Sequence, residues 1–275
     1  DWSSDVCSSD LLGGMLIHNT LDMYRKAVTK LKIRRGSLPA PHHVGHRLYL
    51  RMTLSERLQH LSLMLSFFIL VITGFMLSYP DAWWVTHIRD FIPGAFEIRS
   101  VIHRVAGVVM MLASLYHLYY ILFTPRGKQL LKDLMPKLQD LTDAKNVLMY
   151  NIGVSKIKPR FDRFSYIEKS EYWALVWGTV LMSITGIVMW FENTFINLFT
   201  VVGWDIARTI HYYEAWLAFL AIVIWHVYFV IFNPSVYPMN LTWLTGTITE
   251  EEMEDEHPLE LERIKAEEAK KSEQK

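Results

Sequence analysis

The chain has 275 residues with 28 basic and 28 acidic side chains, so its formal net charge is zero and shows no excess of the kind that nucleic-acid binding needs. Hydrophobic residues make up 51% and aromatic residues 13%, which is apolar for a soluble domain. The single cysteine, Cys7, excludes an internal disulfide, an iron–sulfur ligand set and a CxxCH haem attachment site. Any cofactor must therefore be held by other residues.

The first eleven residues, DWSSDVCSSDL, have neither the basic nor the apolar region of a signal peptide. The codons that this peptide implies resemble a common sequencing adapter. We therefore interpret residues 1–11 as a translated artefact and expect the natural chain to begin upstream. Residues 12–50 are apolar and then basic, which is typical of the cytoplasmic end of a truncated fifth membrane span.

Four stretches contain no Asp, Glu, Lys or Arg over about the 20 residues that cross a bilayer. They are residues 58–80, 105–125, 172–191 and 215–246. Pro234 and Pro238 are expected to end the last helix near Phe232. The pattern predicts an all-α polytopic membrane protein, a four-helix domain over residues 51–246.

Lys and Arg in the connecting segments indicate the orientation. Nine lie between Arg25 and Arg57 and ten in 126–171, against three in 81–104 and one in 192–209. Both ends of the four-span bundle are thus predicted to face the cytoplasm. Residues 247–275 alternate acids and bases, which favours a solvated helix or a frayed cytoplasmic tail.

The spans contain an internal repeat. IHRVAGVVMMLASLYHLYYILFTP (102–125) and IHYYEAWLAFLAIVIWHVYFVIFNP (210–234) both begin Ile-His, carry a second histidine, and end Phe-x-Pro. The preceding spans share Ile-Thr-Gly, in VITGFML (71–77) and SITGIVM (183–189). Two copies of a two-helix unit predict an antiparallel four-helix bundle with the two histidine-bearing helices parallel.

Histidines inside a bilayer are costly and indicate a functional site. His103 and His117 are separated by about 21 Å along one helix, and His211 and His226 by about 22 Å along the other. Each pair also lies on roughly one helix face, within about 40° and 60°. Two such helices can hold two stacked planar cofactors, and iron in a porphyrin accepts two axial imidazoles. The alternative is that these histidines make structural interhelical hydrogen bonds.

Glycines in the same region fit a flat macrocycle, which needs room that a side chain would occupy. Gly107 follows His103 by one turn, and Gly74 and Gly186 lie in the middle of their spans. Close packing of the helices explains these glycines equally well.

The order of these motifs resembles a known family. ERLQHLSLMLSFFILVITGF, then IHRVAG, then YWALVWGTVLMSITGIVMW, then His211 and His226, is similar to the membrane b-type cytochrome subunit of respiratory formate dehydrogenases and nickel–iron hydrogenases. The similarity runs from about Arg51 to Gly246. It implies two haems b that pass electrons between a periplasmic partner and the quinone pool of the bacterial inner membrane.

The resemblance implies that His103 and His211 ligate the periplasmic-side haem, and that His60 and His226 ligate the cytoplasmic-side haem. His117 is an additional histidine relative to that family pattern, at the depth of His60 and His226. The internal repeat favours His117 opposite His226, whereas the family pattern favours His60. Both alternatives remain open, and the other histidine would then lie beside the haem or the quinone.

Arginines at the membrane faces are candidates for the haem propionates. Arg99, Arg104 and Arg208 would serve the outer haem and Arg57 the inner one, although all four also fit as positive flanks of spans. The family quinone site aligns with FSYIEKSEY (164–172), which makes Ser165 and Glu168 the candidate head-group residues. Glu168 would exchange the quinol proton. An interfacial belt of tyrosines and charges is the alternative.

The predicted function is therefore a dihaem electron-transfer subunit, with substrate chemistry in another subunit. The N-terminal extension is similar to longer relatives linked to multihaem c-type cytochromes, so the periplasmic partner is expected to be either an iron–sulfur or a multihaem c-type subunit. Two alternatives are a self-contained transmembrane reductase that passes electrons to an external acceptor such as ferric iron, and a haem-free membrane anchor.

Overall fold

A computed structural model describes residues 2–38, 47–92 and 94–273. Within these ranges the chain is almost entirely helical, with one short two-stranded sheet. The helices are α1 (Trp2–Arg34), α2 (Leu54–Ser78), α3 (Trp83–Phe91), α4 (Ala95–Phe123), α5 (Pro125–Leu134), α6 (Leu138–Asn151), α7 (Tyr166–Trp190), α8 (Glu192–Ala221), α9 (Thr242–Thr245), α10 (Glu250–Glu256) and α11 (Pro258–Glu273). The strands are β1 (Leu48–Leu50) and β2 (Thr247–Thr249). Residues 39–46, in the predicted basic segment 12–50, lie outside the described residues.

Four helices are long and apolar enough to cross a membrane, which confirms the prediction of an all-α polytopic protein. They are α2, α4, α7 and the continuous segment Glu192–Phe232, among the described parts of the chain. The fourth ends at Phe232, before Pro234, as predicted. Helix α1 is not one of the four, so the expected fifth span stays a prediction.

Two predicted connecting segments have more structure than expected. Residues 192–209 are helical, with a break at Thr200, whose φ of 67° is unfavourable for a β-branched residue. The loop 126–171 contains most of α5 and all of α6. Neither helix carries a long apolar face, which explains why charge-free stretches alone did not reveal them.

The chain forms two compact units. The first comprises Asp1–Thr53, Leu130–Ala174 and Leu220–Lys275; the second comprises Leu54–Gln129 and Leu175–Phe219. In the second unit α2 packs along α4. Phe75 of α2 also stacks on Trp216 of α8, with ring centroids 4.6 Å apart, and the hydroxyls of Tyr79 and Tyr212 are hydrogen-bonded. These contacts hold the histidine-bearing part of α8 against α2.

In the first unit, the first part of the charged tail is folded and partly buried. Strand β2 pairs antiparallel with β1, with Tyr49 opposite Ile248. These two side chains form a buried cluster with Met253 and Leu261 of the tail helices. The Arg51 guanidinium donates to the Glu260 carboxylate at 2.6 Å, and both side chains are buried. The expectation of a solvated or frayed tail therefore differs from the structure between residues 247 and 261.

Helix α1 makes polar contacts with the end of the fourth span in the same unit. The Asn19 side-chain amide donates to the Ile224 carbonyl at 2.5 Å, and Tyr228 donates its hydroxyl to Asp22 at 2.8 Å. Residues Ile222–His226 and Tyr228–Phe232 are π-helical. The hydrogen bonds of Asn19 and Tyr228 join α1 to this end of the fourth span.

His257 should make the folded first unit sensitive to acid. Burial lowers the pKa of His257, and the nearby Arg51 guanidinium lowers it further. The neutral ring suits its neighbours: Nδ1 donates to the Asp162 carbonyl at 2.9 Å, and Nε2 accepts from Arg51 at 3.1 Å. The pKa of this histidine is lower in the folded protein than in the unfolded protein, where it is about 6.5. Above about pH 6.5 the histidine does not lower the free energy of unfolding. As the pH falls below about 6.5, the unfolded state binds the proton more readily, so the free energy of unfolding decreases.

We therefore expect the unfolding temperature in detergent to fall by a few degrees between pH 7.5 and 5.5. The decrease should be smaller in the His257→Gln variant. Glutamine offers an N–H donor and a carbonyl acceptor in place of the ring nitrogens. Identical slopes of unfolding temperature against pH in the two proteins would contradict this assignment.

Candidate haem site

Two histidines, one from each copy of the repeat, lie close together in the second unit. His103 lies on α4 and His211 on α8, and both are half-buried. Their ring centroids are 6.4 Å apart and their planes are inclined at 66°. The sequence placed these two residues at one depth, and the structure brings them together.

Each of these imidazoles contacts the Ile-Thr-Gly motif of its own repeat. His103 Nδ1 lies 2.9 Å from the Thr73 hydroxyl, and His211 Nδ1 lies 2.9 Å from the Thr185 hydroxyl. The glycine that follows each threonine lies beside the same ring. A Cβ atom added to Gly74 would be 3.3 Å from His103 Cε1, and one added to Gly186 would be 3.4 Å from His211 Cε1. The two halves of the unit therefore present their histidines in the same way.

The separation of the two rings fits a shared metal ion. Metal–imidazole bonds are about 2.0–2.1 Å long. Two such bonds in a straight line, with roughly 1.1 Å from each nitrogen to its ring centre, would separate the ring centres by about 6.3 Å if both nitrogens face the metal. The observed 6.4 Å matches this distance. The donor set of two neutral imidazoles without a thiolate is one that haem iron accepts.

His226 lies at the end of the π-helical segment Ile222–His226, in the first unit. Its Nδ1 is 3.0 Å from the Glu171 carboxylate, close enough for Nδ1–H to donate to that group. Carboxylates that accept from one nitrogen of a metal-binding histidine commonly orient the ring and raise the basicity of the other nitrogen. π-Helical turns are also frequent at functional sites.

His60 and His117 both lie in the second unit, on α2 and α4. His117 Nδ1 is 2.8 Å from the Gln59 side-chain oxygen, and the Gln59 amide donates to the Ser55 hydroxyl at 3.1 Å. His60 is the next residue along α2 and is half-buried. Which of the two histidines ligates the second haem stays a prediction.

The candidate arginines lie beside aromatic rings or at a helix start. Arg104 is 5.4 Å from the Trp190 ring, Arg208 is 5.5 Å from the Trp204 ring, and Arg99 lies 3.4 Å from the Phe96 ring. Arg57 lies in the first turn of α2. Such cation–π contacts are attractive and help to hold a guanidinium group in place.

Ser165 and Glu168 come together at the N-terminus of α7. Glu168 accepts from the Ser165 backbone N–H at 2.6 Å and from the Ser165 hydroxyl at 2.7 Å. This is the reciprocal arrangement of a helix cap, which satisfies backbone donors that the helix leaves free. The second Glu168 oxygen lies 3.7 Å from Arg51 and 3.9 Å from His257. The two predicted quinone residues thus also have a local structural role.

Residues beside the histidines were missed from the sequence. Thr73 and Thr185 stand out in the sequence only as part of the Ile-Thr-Gly repeat. Glu171, the partner of His226, immediately precedes a charge-free stretch and belongs to the predicted loop 126–171. Gln59 stands next to His60 and carries no sequence signal of its own.

Comparison with known proteins identifies the family of the chain. The family model described as prokaryotic cytochrome b561 matches residues 51–241. The chain is 27% identical over 172 residues to the formate dehydrogenase cytochrome b556 subunit of Haemophilus influenzae, covering 62% of this chain and 66% of that subunit, just under two thirds. It is 23% identical over 199 residues to the formate dehydrogenase cytochrome b556(fdo) subunit of Escherichia coli K12, covering 72% and 81% of the two chains. The chain is a bacterial membrane b-type cytochrome and belongs to the prokaryotic cytochrome b561 family.

Proposed function

We propose that this cytochrome binds two haems b and carries electrons between the quinone pool and a periplasmic redox subunit. The observation that carries the proposal is the pair His103 and His211, whose ring separation of 6.4 Å and matching Thr-Gly contacts suit one metal ion between two helices. The relatives are named as subunits of formate dehydrogenase, which supports a partner that performs the substrate chemistry.

The outer haem is proposed to take His103 and His211 as axial ligands, with Arg99, Arg104 and Arg208 near its propionates. His226, together with His60 or His117, would ligate the inner haem, and Arg57 would lie near its propionates. A haem iron with two imidazole ligands supplies one-electron transfer and leaves no coordination position for substrate. The protein residues hold the cofactors in place and set their electronic surroundings.

The quinone site is proposed at the cytoplasmic start of α7, around Ser165 and Glu168. Glu168 is the proton-exchanging group because its carboxylate faces both a hydroxyl donor and the His257 ring, at 3.9 Å. It lies next to His257 of the folded tail, which is predicted to face the cytoplasm. This orientation in the inner membrane, with both ends of the bundle cytoplasmic, rests on the excess of Lys and Arg in the 126–171 and N-terminal segments.

The detergent-purified protein should contain about two haems b, because two levels of the bundle carry candidate axial histidines. Pyridine haemochrome analysis should give this ratio, acid acetone should extract the pigment, and the reduced-minus-oxidised spectrum should show a b-type α band. A colourless protein from haem-replete cells would instead favour the haem-free anchor. Reduction of the bound haem by a quinol analogue tests the quinone link, and haem that no quinol reduces would contradict it.

A further inference from the structure

Thr73 and Thr185 each have one hydroxyl proton, and each hydroxyl lies near two backbone carbonyls of its own helix and one histidine ring. The Thr73 hydroxyl donates to the Ile69 carbonyl at 2.6 Å, and the Thr185 hydroxyl donates to the Leu181 carbonyl at 2.7 Å. A carbonyl oxygen only accepts, so the hydroxyl proton must lie on that side. Each threonine oxygen then has only lone pairs to offer to the imidazole.

The proton between threonine and histidine must therefore come from the ring. His103 Nδ1 and His211 Nδ1 each lie 2.9 Å from a threonine oxygen that acts as an acceptor. Each imidazole thus carries a hydrogen on Nδ1, and in the neutral form of the ring the lone pair is then on Nε2. That is the nitrogen at the far end of the ring, and it is available to a metal.

The glycine next to each threonine limits the rotation of the imidazole ring. Gly74 and Gly186 lie beside Cε1 of the same rings, where an added Cβ atom would be 3.3 Å and 3.4 Å away. A contact of that distance is tighter than ordinary van der Waals packing, so an alanine would push the ring. The hydroxyl and the bare glycine backbone together set the position and the rotation of the imidazole.

We infer that the Thr-Gly dipeptide of each repeat is a positioning element for the outer haem. Thr73 holds His103, and Thr185 holds His211, in the tautomer that ligates through Nε2. The inference rests on the proposed role of these histidines as axial ligands. Nothing in the family match or in the names of the relatives assigns a role to either threonine.

The threonines also influence the haem potential. An Nδ1–H group that donates to an acceptor makes the imidazole a stronger electron donor, which favours ferric iron. In the Thr185→Val variant the ring of His211 loses this acceptor while the side-chain volume is kept. In Thr73→Val the ring of His103 keeps its hydrogen bond to the Leu70 backbone, so the change is expected to be smaller there. One of the two haems should then become easier to reduce, with its reduced-to-oxidised ratio at a fixed ambient potential raised roughly 5-fold, the effect of one neutral hydrogen bond. The other haem should titrate as in the wild type.

A redox titration of the α band, with the low-spin electron paramagnetic resonance signal as a second readout, tests this shift. Thr73→Ser and Thr185→Ser keep a hydroxyl and should restore the wild-type titration. Thr209→Val is the matched control on α8, since the exposed Thr209 also donates to the carbonyl four residues back, Asp205, at 2.8 Å. This control should titrate as the wild type does.

Two results would overturn the inference. In the first, the valine variants bind two haems with unchanged potentials and an unchanged resonance signal. In the second, a valine variant loses a haem and the matching serine variant loses it equally. Haem lost in the valine variant and fully restored in the serine variant supports the inference. Failure of the axial assignment is separable, because His103→Ala would then keep both haems whatever the threonine variants do.

Discussion

Replacing His103 or His211 with alanine is expected to remove one haem b from the purified protein and leave the other. Each residue supplies one of the two axial nitrogens proposed for the outer haem. Their ring centres are 6.4 Å apart, and one imidazole cannot supply both axial nitrogens. A single remaining imidazole holds b-type haem weakly, since no covalent thioether bond tethers the group.

The measurement is the haem-to-protein ratio, which should fall from about two to about one. His87→Ala provides the matched control. His87 lies on α3 in the same unit, its ring is exposed, and its Nδ1 donates to the Trp83 carbonyl at 2.6 Å. The control should keep both haems. Full occupancy in His103→Ala or His211→Ala would show that the outer pair is wrongly assigned.

The second large effect is expected at His226. Both open assignments of the inner haem use this histidine, so His226→Ala should abolish the inner haem and retain the outer one. Its contact with Glu171 at 3.0 Å favours the same orientation of the ring that a metal-binding histidine needs. Two haems retained in His226→Ala would contradict both assignments.

The His60→Ala and His117→Ala variants then separate the two alternatives. If His60 is the ligand, His60→Ala loses the inner haem, and His117→Ala keeps it with at most a changed potential. The reverse pattern would show that the internal repeat sets the ligation. Gln59→Ala is informative as well, since His117 Nδ1 contacts the Gln59 oxygen at 2.8 Å. This variant should lower the occupancy of the inner haem only if His117 ligates it.

Much of the membrane architecture could be read from the sequence because charge is so unfavourable in a bilayer. The absence of Asp, Glu, Lys and Arg located the four spans, and Pro234 correctly predicted the end of the last one at Phe232. The repeat predicts one depth for His103 and His211, and the structure places their rings side by side.

Other features depend on packing that no local pattern encodes. The hydroxyl of Thr73 meets a ring thirty residues later, and that contact requires α2 to lie along α4. The helix breaks at Thr200, which is neither glycine nor proline, so the residue type does not predict the break. In the tail, Met253 and Leu261 are buried, but their apolar side chains were hidden among many charges and suggested a solvated segment.

The pairing of β1 with β2 also limits the order in which the two units can fold during synthesis. Residue 50 and residue 247 belong to one small sheet, yet all four spans lie between them in the chain. At about 5–20 residues per second, a ribosome needs roughly 10–40 s to reach the second strand after completing the first. Throughout that interval, Leu48–Leu50 has no β2 to pair with, and Arg51 has no Glu260. The first unit is therefore completed last, after every span has been synthesised.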